Sequence, residues 1–171
     1  MEHVMKIVSL LCISAFIAIL GGCAAYGPPL QPGEPEQSVL SKLGQPTHRY
    51  QDGQDHLLEY TTGPWGQQTY MARIGPSGTL ISYEQVLTSQ KFATLKVGSA
   101  TKDDVLRTVG APSETSYLSL SQLEVWSYPY KESGVWDSMM HIHFDRNGVV
   151  RRMENGPDPR RDPDRHRHFG F

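Results

Sequence analysis

The chain has 171 residues, with 16 Lys and Arg against 18 Asp and Glu and a formal net charge of −2. That near balance gives no bulk electrostatic reason to bind nucleic acid or an anionic membrane surface. A hydrophobic content of 38 % with 16 Gly and 12 Pro predicts a turn-rich chain of short strands rather than a helical bundle.

Residues 7–20 carry no charge and follow Lys6. A run of that length has the size of a secretory h-region and is too short to cross a bilayer as a helix. The junction Leu20-Gly21-Gly22-Cys23 resembles the lipobox of bacterial lipoproteins, whose cysteine thiol receives a diacylglycerol and becomes the first mature residue. The resemblance implies a signal peptide over 1–22, lipidation at Cys23 and, because Ala24 rather than Asp follows, delivery to the outer membrane facing the periplasm. Loss of 1–22 removes Cys12, and acylation uses Cys23. The domain is then left without a thiol, a disulfide or a thiolate metal site. Residues 23–35, rich in Gly and Pro, read as a flexible linker.

An internal repeat follows. Val39-Leu40-Ser41-Lys42-Leu43-Gly44-Gln45-Pro46 matches Val105-Leu106-Arg107-Thr108-Val109-Gly110-Ala111-Pro112 at an offset of 66, and Glu59-Tyr60 falls on Val125-Trp126 at the same offset. Gly78 then matches Gly148, and Tyr83-Glu84 matches Met153-Glu154, at an offset of 70. The four extra residues are expected in a loop at 129–136. The repeat divides the domain into a first unit over 36–87 and a second over 88–155.

In the first unit Val39, Leu40 and Leu43 form the apolar face of a helix that Gly44 and Pro46 stop. Strands are predicted over 57–61, 69–74 and 79–83. In the second, Thr88 caps a short helix with Phe92 and Leu95 on its inner face. Thr101 and Asp104 form a capping-box pattern ahead of Val105, Leu106 and Val109, and Gly110 with Pro112 ends that helix. Strands are predicted over 123–128, 139–144 and 149–153, with Asn147-Gly148 as a hairpin turn. Met140, Ile142 and Phe144 alternate with Met139, His141 and His143, giving one apolar face and one wet face. The fold class is α+β: two tandem units, each with short helices packed on a small antiparallel sheet. Residues 156–171, with Pro157, Pro159 and Pro163 among Arg, Asp and His, read as a disordered basic tail.

A helix ending in Val-Leu-x-x-hydrophobic-Gly-x-Pro, followed by strands closing with Phe-Asp-x-x-Gly-x-Val, resembles the SmpA/OmlA lipoproteins, the BamE-like family. The residues that carry it are Leu95, Val97-Gly98, Thr101, Val105, Gly110, Pro112, Phe144-Asp145, Gly148 and Val149-Val150. The tandem arrangement also resembles the architecture of the β-lactamase inhibitor protein. The family resemblance implies a lipid-anchored periplasmic protein that binds protein partners in outer-membrane β-barrel assembly or envelope integrity. The second resemblance implies, as the alternative, an inhibitor or binding module acting on a periplasmic enzyme.

No Ser/His/Asp order, phosphate loop or HExxH motif is present, so neither enzymatic activity nor a cofactor is expected. His141 and His143 share one strand face and are weak metal candidates, with His166 and His168 in the tail as the only further imidazoles nearby in sequence. Trp65 and Trp136, in loops after the first predicted strand of each unit, and Tyr70 on an adjacent strand are the candidate partner contacts, because exposed loop aromatics anchor interfaces.

Overall fold

The computed structural model describes residues 29–62 and 66–161. Helix α1 (Glu36–Leu43) is followed by strands β1 (His48–Asp52), β2 (Asp55–Thr62), β3 (Gln68–Ile74) and β4 (Leu80–Gln85). Helices α2 (Ser89–Thr94) and α3 (Lys102–Val109) then precede β5 (Glu114–Leu118), β6 (Leu123–Glu132), β7 (Trp136–Phe144) and β8 (Val150–Pro157). The strands form two four-stranded antiparallel meanders, β1-β2-β3-β4 and β5-β6-β7-β8. The architecture is α+β, as expected.

Local chemistry starts α2 and α3 where the sequence places them. The Thr88 side chain accepts a hydrogen bond from the Lys91 N–H at the head of α2. Thr101 and Asp104 close a reciprocal capping box at the head of α3, which satisfies two of the backbone donors that a helix start leaves free. Both longer helices end on glycine, Gly44 at φ 82°, ψ −165° and Gly110 at φ 86°, ψ −169°. Side chains other than hydrogen are essentially excluded from that region.

Strands β1 and β5 were not expected. Both lie at sheet edges, and neither has an inward-facing apolar set: His-Arg-Tyr-Gln-Asp in β1 and a fully exposed Glu-Thr-Ser-Tyr-Leu in β5. Edge strands are held by backbone pairing, and that leaves little trace in a hydrophobic pattern.

The two halves share their backbone hydrogen bonds. Glu36 N–H donates to Gly78 O at 2.9 Å and Lys102 N–H to Gly148 O at 3.0 Å. Leu80 N–H donates to Glu34 O at 2.7 Å and Val150 N–H to Ala100 O at 2.8 Å. A bulge falls between Arg73 and Ile74 in one sheet and between His143 and Phe144 in the other.

Register corrects the expected alignment. The pairs His48–Glu59 and Glu114–Ser127 set an offset of 66 for the edge strands and 68 for the next. The pairs His56–Ile74 and Glu124–Phe144 carry 68 into 70. Tyr60 therefore corresponds to Tyr128 and not to Trp126, and each hydroxyl donates to the carbonyl of the helix-ending glycine: Gly44 at 3.3 Å, Gly110 at 3.2 Å. The four extra residues are split. Two lengthen the β5–β6 connection, and two extend the β6–β7 hairpin through the pairs Lys131–Asp137 and Glu132–Trp136.

Two further expectations need correction. Residues 33–35 are not free linker, since Gly33 N–H donates to Leu80 O at 2.7 Å and Pro35 bridges Thr79. Gly156 is paired with Met139 in β8, and chain order continues beyond that strand. Asp158 is buried, its N–H donates to Asp137 O at 2.9 Å, and its carboxylate holds Arg160 at 2.8 Å.

The second half has a continuous core. Phe92, Val105 and Val109 from the helices pack with Tyr128, Tyr130, Met140, Ile142, Phe144 and Val150 from the sheet. Leu106 only borders it and is half-buried. Phe92 lies edge-on to Tyr128 and Tyr130, with centroids 5.8 and 5.1 Å apart. In the first half Val39, Leu58, Tyr60, Ala72, Ile74 and Leu80 are buried. On the opposite face of that sheet Leu57, Met71 and Val86 form a second cluster with Tyr50.

Candidate functional site

The seam between the two sheets is built around one carboxylate. Alternation along β2 puts Leu58 and Tyr60 on one face and Leu57 and Glu59 on the other, so Glu59 enters the fold beside apolar residues. Its side chain is fully buried. Glu59 Oε2 accepts from Tyr50 Oη at 2.5 Å and from the Ala111 N–H at 3.0 Å, and Oε1 accepts from Thr61 Oγ1 at 2.9 Å. A buried carboxylate is tolerated only when its lone pairs are met, and here three donors meet them. Burial and the adjacent carboxylate raise the Tyr50 hydroxyl above its ordinary range, so it stays a donor.

A Cβ at Gly110 would lie 2.8 Å from Glu59 Oε2 and 3.0 Å from Thr69 Cγ2, so the end of α3 reaches the first sheet only because that position is glycine. At the rim of the seam Gln67 Nε2 donates to Asp137 Oδ1 at 2.6 Å. The Asp137 carboxyl is held below its usual range by Lys131 first and by Gln67 second. Sequence reasoning missed this seam. The one available signal was a lone Glu inside the apolar run Leu57-Leu58-Glu59-Tyr60.

Beside the seam lies a groove of about 340 Å³, floored by Leu57, Met71 and Val86. Its charged rim is internally paired. Arg73 holds Asp52 at 2.7 Å and Asp55 at 2.9 Å, Lys91 holds Glu84 at 2.8 Å, and Arg107 holds Asp104 at 2.7 Å. Paired in this way, these groups give the groove a charge-balanced rim.

Two of the aromatic candidates, Tyr70 and Trp136, stand on different sheets. Trp136 does not sit in a loop; it opens β7 opposite Glu132, with 70 % of its surface exposed. The pairing of Thr62 with Gln68 and of Tyr130 with Ser138 makes Trp136 the counterpart of Gly66. Tyr70 is half-buried and stacks on Tyr83 at 5.2 Å, and Tyr83 in turn meets the Tyr60 ring edge. Cys23, Trp65, His166 and His168 lie outside the described residues.

His141 and His143 share a face that is less wet than expected. Met139 and His143 are both buried, and only His141 is half-exposed. His141 Nδ1 lies 2.8 Å from Ser127 Oγ. His143 Nε2 is 3.0 Å from Glu154 Oε2 without hydrogen-bond alignment, and neither of its ring nitrogens has a hydrogen-bond partner. Desolvation lowers the His143 pKa, with Glu154 acting against that shift and Arg152 with it. Among the described residues no group of three or more His, Cys, Asp and Glu is arranged to hold a metal ion.

Comparison with known proteins finds a family match for 71 of the 171 residues. No curated protein matches it. A solved DUF4309 family protein (YjgB) from Bacillus subtilis is 11 % identical, covers 71 % of this chain and 77 % of its own, and has a TM-score of 0.32, which identifies no fold. Residues 84–154, which run from the end of β4 through α2, α3 and β5–β7 into β8, match the family model of the outer membrane protein assembly factor BamE domain.

Proposed function

We propose that this chain is a lipid-anchored periplasmic protein of the outer membrane that binds other proteins in outer-membrane assembly and works by binding rather than catalysis. The match of residues 84–154 to the BamE domain carries this reading. The lipobox-like Leu20-Gly21-Gly22-Cys23 supports an anchor at Cys23. The paired, charge-balanced rim of the groove is compatible with a binding role. Residues 36–87 are read as another copy of the same unit. The shared helix-to-sheet hydrogen bonds, the shared bulge and the Tyr60/Tyr128 equivalence support that duplication.

Trp136, with Trp65 and Tyr70, forms the proposed contact surface. An anchored protein meets other anchored proteins at high effective concentration, so modest affinity suffices. Chemical crosslinking of the full chain in intact cells, followed by recovery from membranes, is expected to capture outer-membrane assembly proteins. Capture of a soluble periplasmic enzyme alone, or fractionation with the inner membrane, would overturn the proposal.

A further inference from the structure

Each sheet has two edges, and three of the four are guarded by charge. β1 carries Arg49, paired with Glu36 at 2.8 Å, and Asp52, paired with Arg73 at 2.7 Å. β4 carries Glu84, paired with Lys91 at 2.8 Å. β8 carries Arg151, paired with Asp145 at 2.7 Å, and Arg152, paired with Glu154, and it ends in Pro157. Charged side chains and proline are the usual devices that stop an edge from pairing with another chain.

β5 has none of them past its first residue. Residues 115–123 read Thr-Ser-Tyr-Leu-Ser-Leu-Ser-Gln-Leu, with no charge, no Pro and no Gly. All five residues of the strand are exposed, Tyr117 by 58 % and Leu118 by 43 %, and Leu120 just beyond stands fully in solvent. An edge that is neutral past Glu114, carries the β-formers Thr115 and Tyr117 and is apolar at its tip is a template for strand addition.

We propose that β5 is a homodimer interface, in which two copies pair β5 with β5 antiparallel about Ser116 and join two four-stranded sheets into one of eight. The composition of the strand favours a second copy as its partner. In that register Thr115 of each copy faces Tyr117 of the other, a β-branched and aromatic pairing of the favourable kind. Ser116 faces Ser116, and Glu114 faces Leu118. No like charges are opposed, and the two Glu114 side chains stand four residues apart along the ladder, about 13 Å. A five-residue edge is a small interface, so the association is weak and depends on concentration.

Sedimentation velocity of the full chain in a mild detergent, up to about 1 mM as tethering would provide, is expected to show a shift from monomer to dimer. Thr115→Lys with Tyr117→Lys sets lysines opposite one another on exposed positions and should abolish that shift while leaving the circular dichroism spectrum unchanged. Thr115→Glu with Tyr117→Glu should do the same, and an equimolar mixture of the two variants should restore a dimer. A wild-type chain that stays monomeric throughout, a dimer that survives in the lysine variant, or a mixture that remains monomeric would each overturn the proposal.

Discussion

Glu59 accepts the backbone N–H of Ala111 at 3.0 Å, and this bond ties the centre of the first sheet to the residue just past the end of α3. The same oxygen is 2.5 Å from Tyr50 Oη, so one carboxylate satisfies donors from both halves. Removing it strands those donors in a buried place, and each costs about 1–3 kcal/mol when left unmet. Glu59→Ala is therefore expected to lower the urea midpoint clearly. Tyr50→Phe, which removes one donor and keeps the bonds from Ala111 and Thr61, should lower it much less. Equal effects from the two variants would show that the Ala111 contact contributes nothing.

Gly44 and Gly110 make a matched pair for separating backbone strain from packing. Both have positive φ near 85° with ψ near −165°, so alanine at either carries a backbone penalty on the order of 1–3 kcal/mol. At Gly44 the added Cβ meets nothing within 4 Å, whereas at Gly110 it meets Glu59 Oε2 at 2.8 Å. Gly110→Ala should then destabilise more than Gly44→Ala, with the excess reduced in a Glu59→Ala background. Thermal or urea unfolding of Gly44→Ala, Gly110→Ala, Glu59→Ala and the Glu59→Ala/Gly110→Ala double variant measures this directly. Identical losses at the two glycines would remove the close approach from the account.

Much of the fold was legible because the signals were local. Thr88, Thr101 with Asp104, and the stops at Gly44 and Gly110 are single-residue features whose geometry follows from capping and from glycine-only backbone angles. The apolar face carrying Met140, Ile142 and Phe144 was readable for the same reason. The missed features depend on pairing and register rather than on a local apolar pattern. β1 and β5 owe their existence to neighbours in the sheet. Trp126 stood one aromatic short of the true counterpart of Tyr60, and only register distinguishes it from Tyr128. The role of Glu59 depends on a backbone donor 52 positions away in the chain.

His143 predicts a pH dependence whose sign follows from its burial. Desolvation holds its folded-state pKa below the ordinary value of 6.5. Between that lowered pKa and about 6.5 the unfolded ring takes up a proton that the folded ring refuses, so the unfolded state binds more protons. Stability is full above about pH 6.5 and falls as the pH drops through that window, by at most about 1.4 kcal/mol per pH unit for one group. The carboxylates with lowered pKa values, Asp104 and Glu154 among them, lose their contribution only at more acid pH. His143→Leu removes the titration together with two ring nitrogens that make no hydrogen bond. Its unfolding free energy should fall less than that of the wild type between pH 7.5 and 5.5. Equal pH slopes in the two proteins would refute the assignment.

Trp136 offers the sharpest test of the binding reading, because its side chain can be removed without touching the core. It is 70 % exposed at the first position of β7, opposite Glu132, and the cluster of buried residues in the second half does not include it. Trp136→Ala should therefore unfold within error of the wild type, since surface substitutions of this kind usually stay within about 0.5 kcal/mol. Aromatic anchors at interface centres cost about 2 kcal/mol or more when truncated, which corresponds to roughly a 30-fold loss of affinity. Crosslinked recovery of outer-membrane partners should drop accordingly, and it should drop further when Trp65→Ala is added. Undiminished recovery from a folded double variant would remove these tryptophans from the contact surface and leave the groove floored by Leu57, Met71 and Val86 as the next surface to mutate.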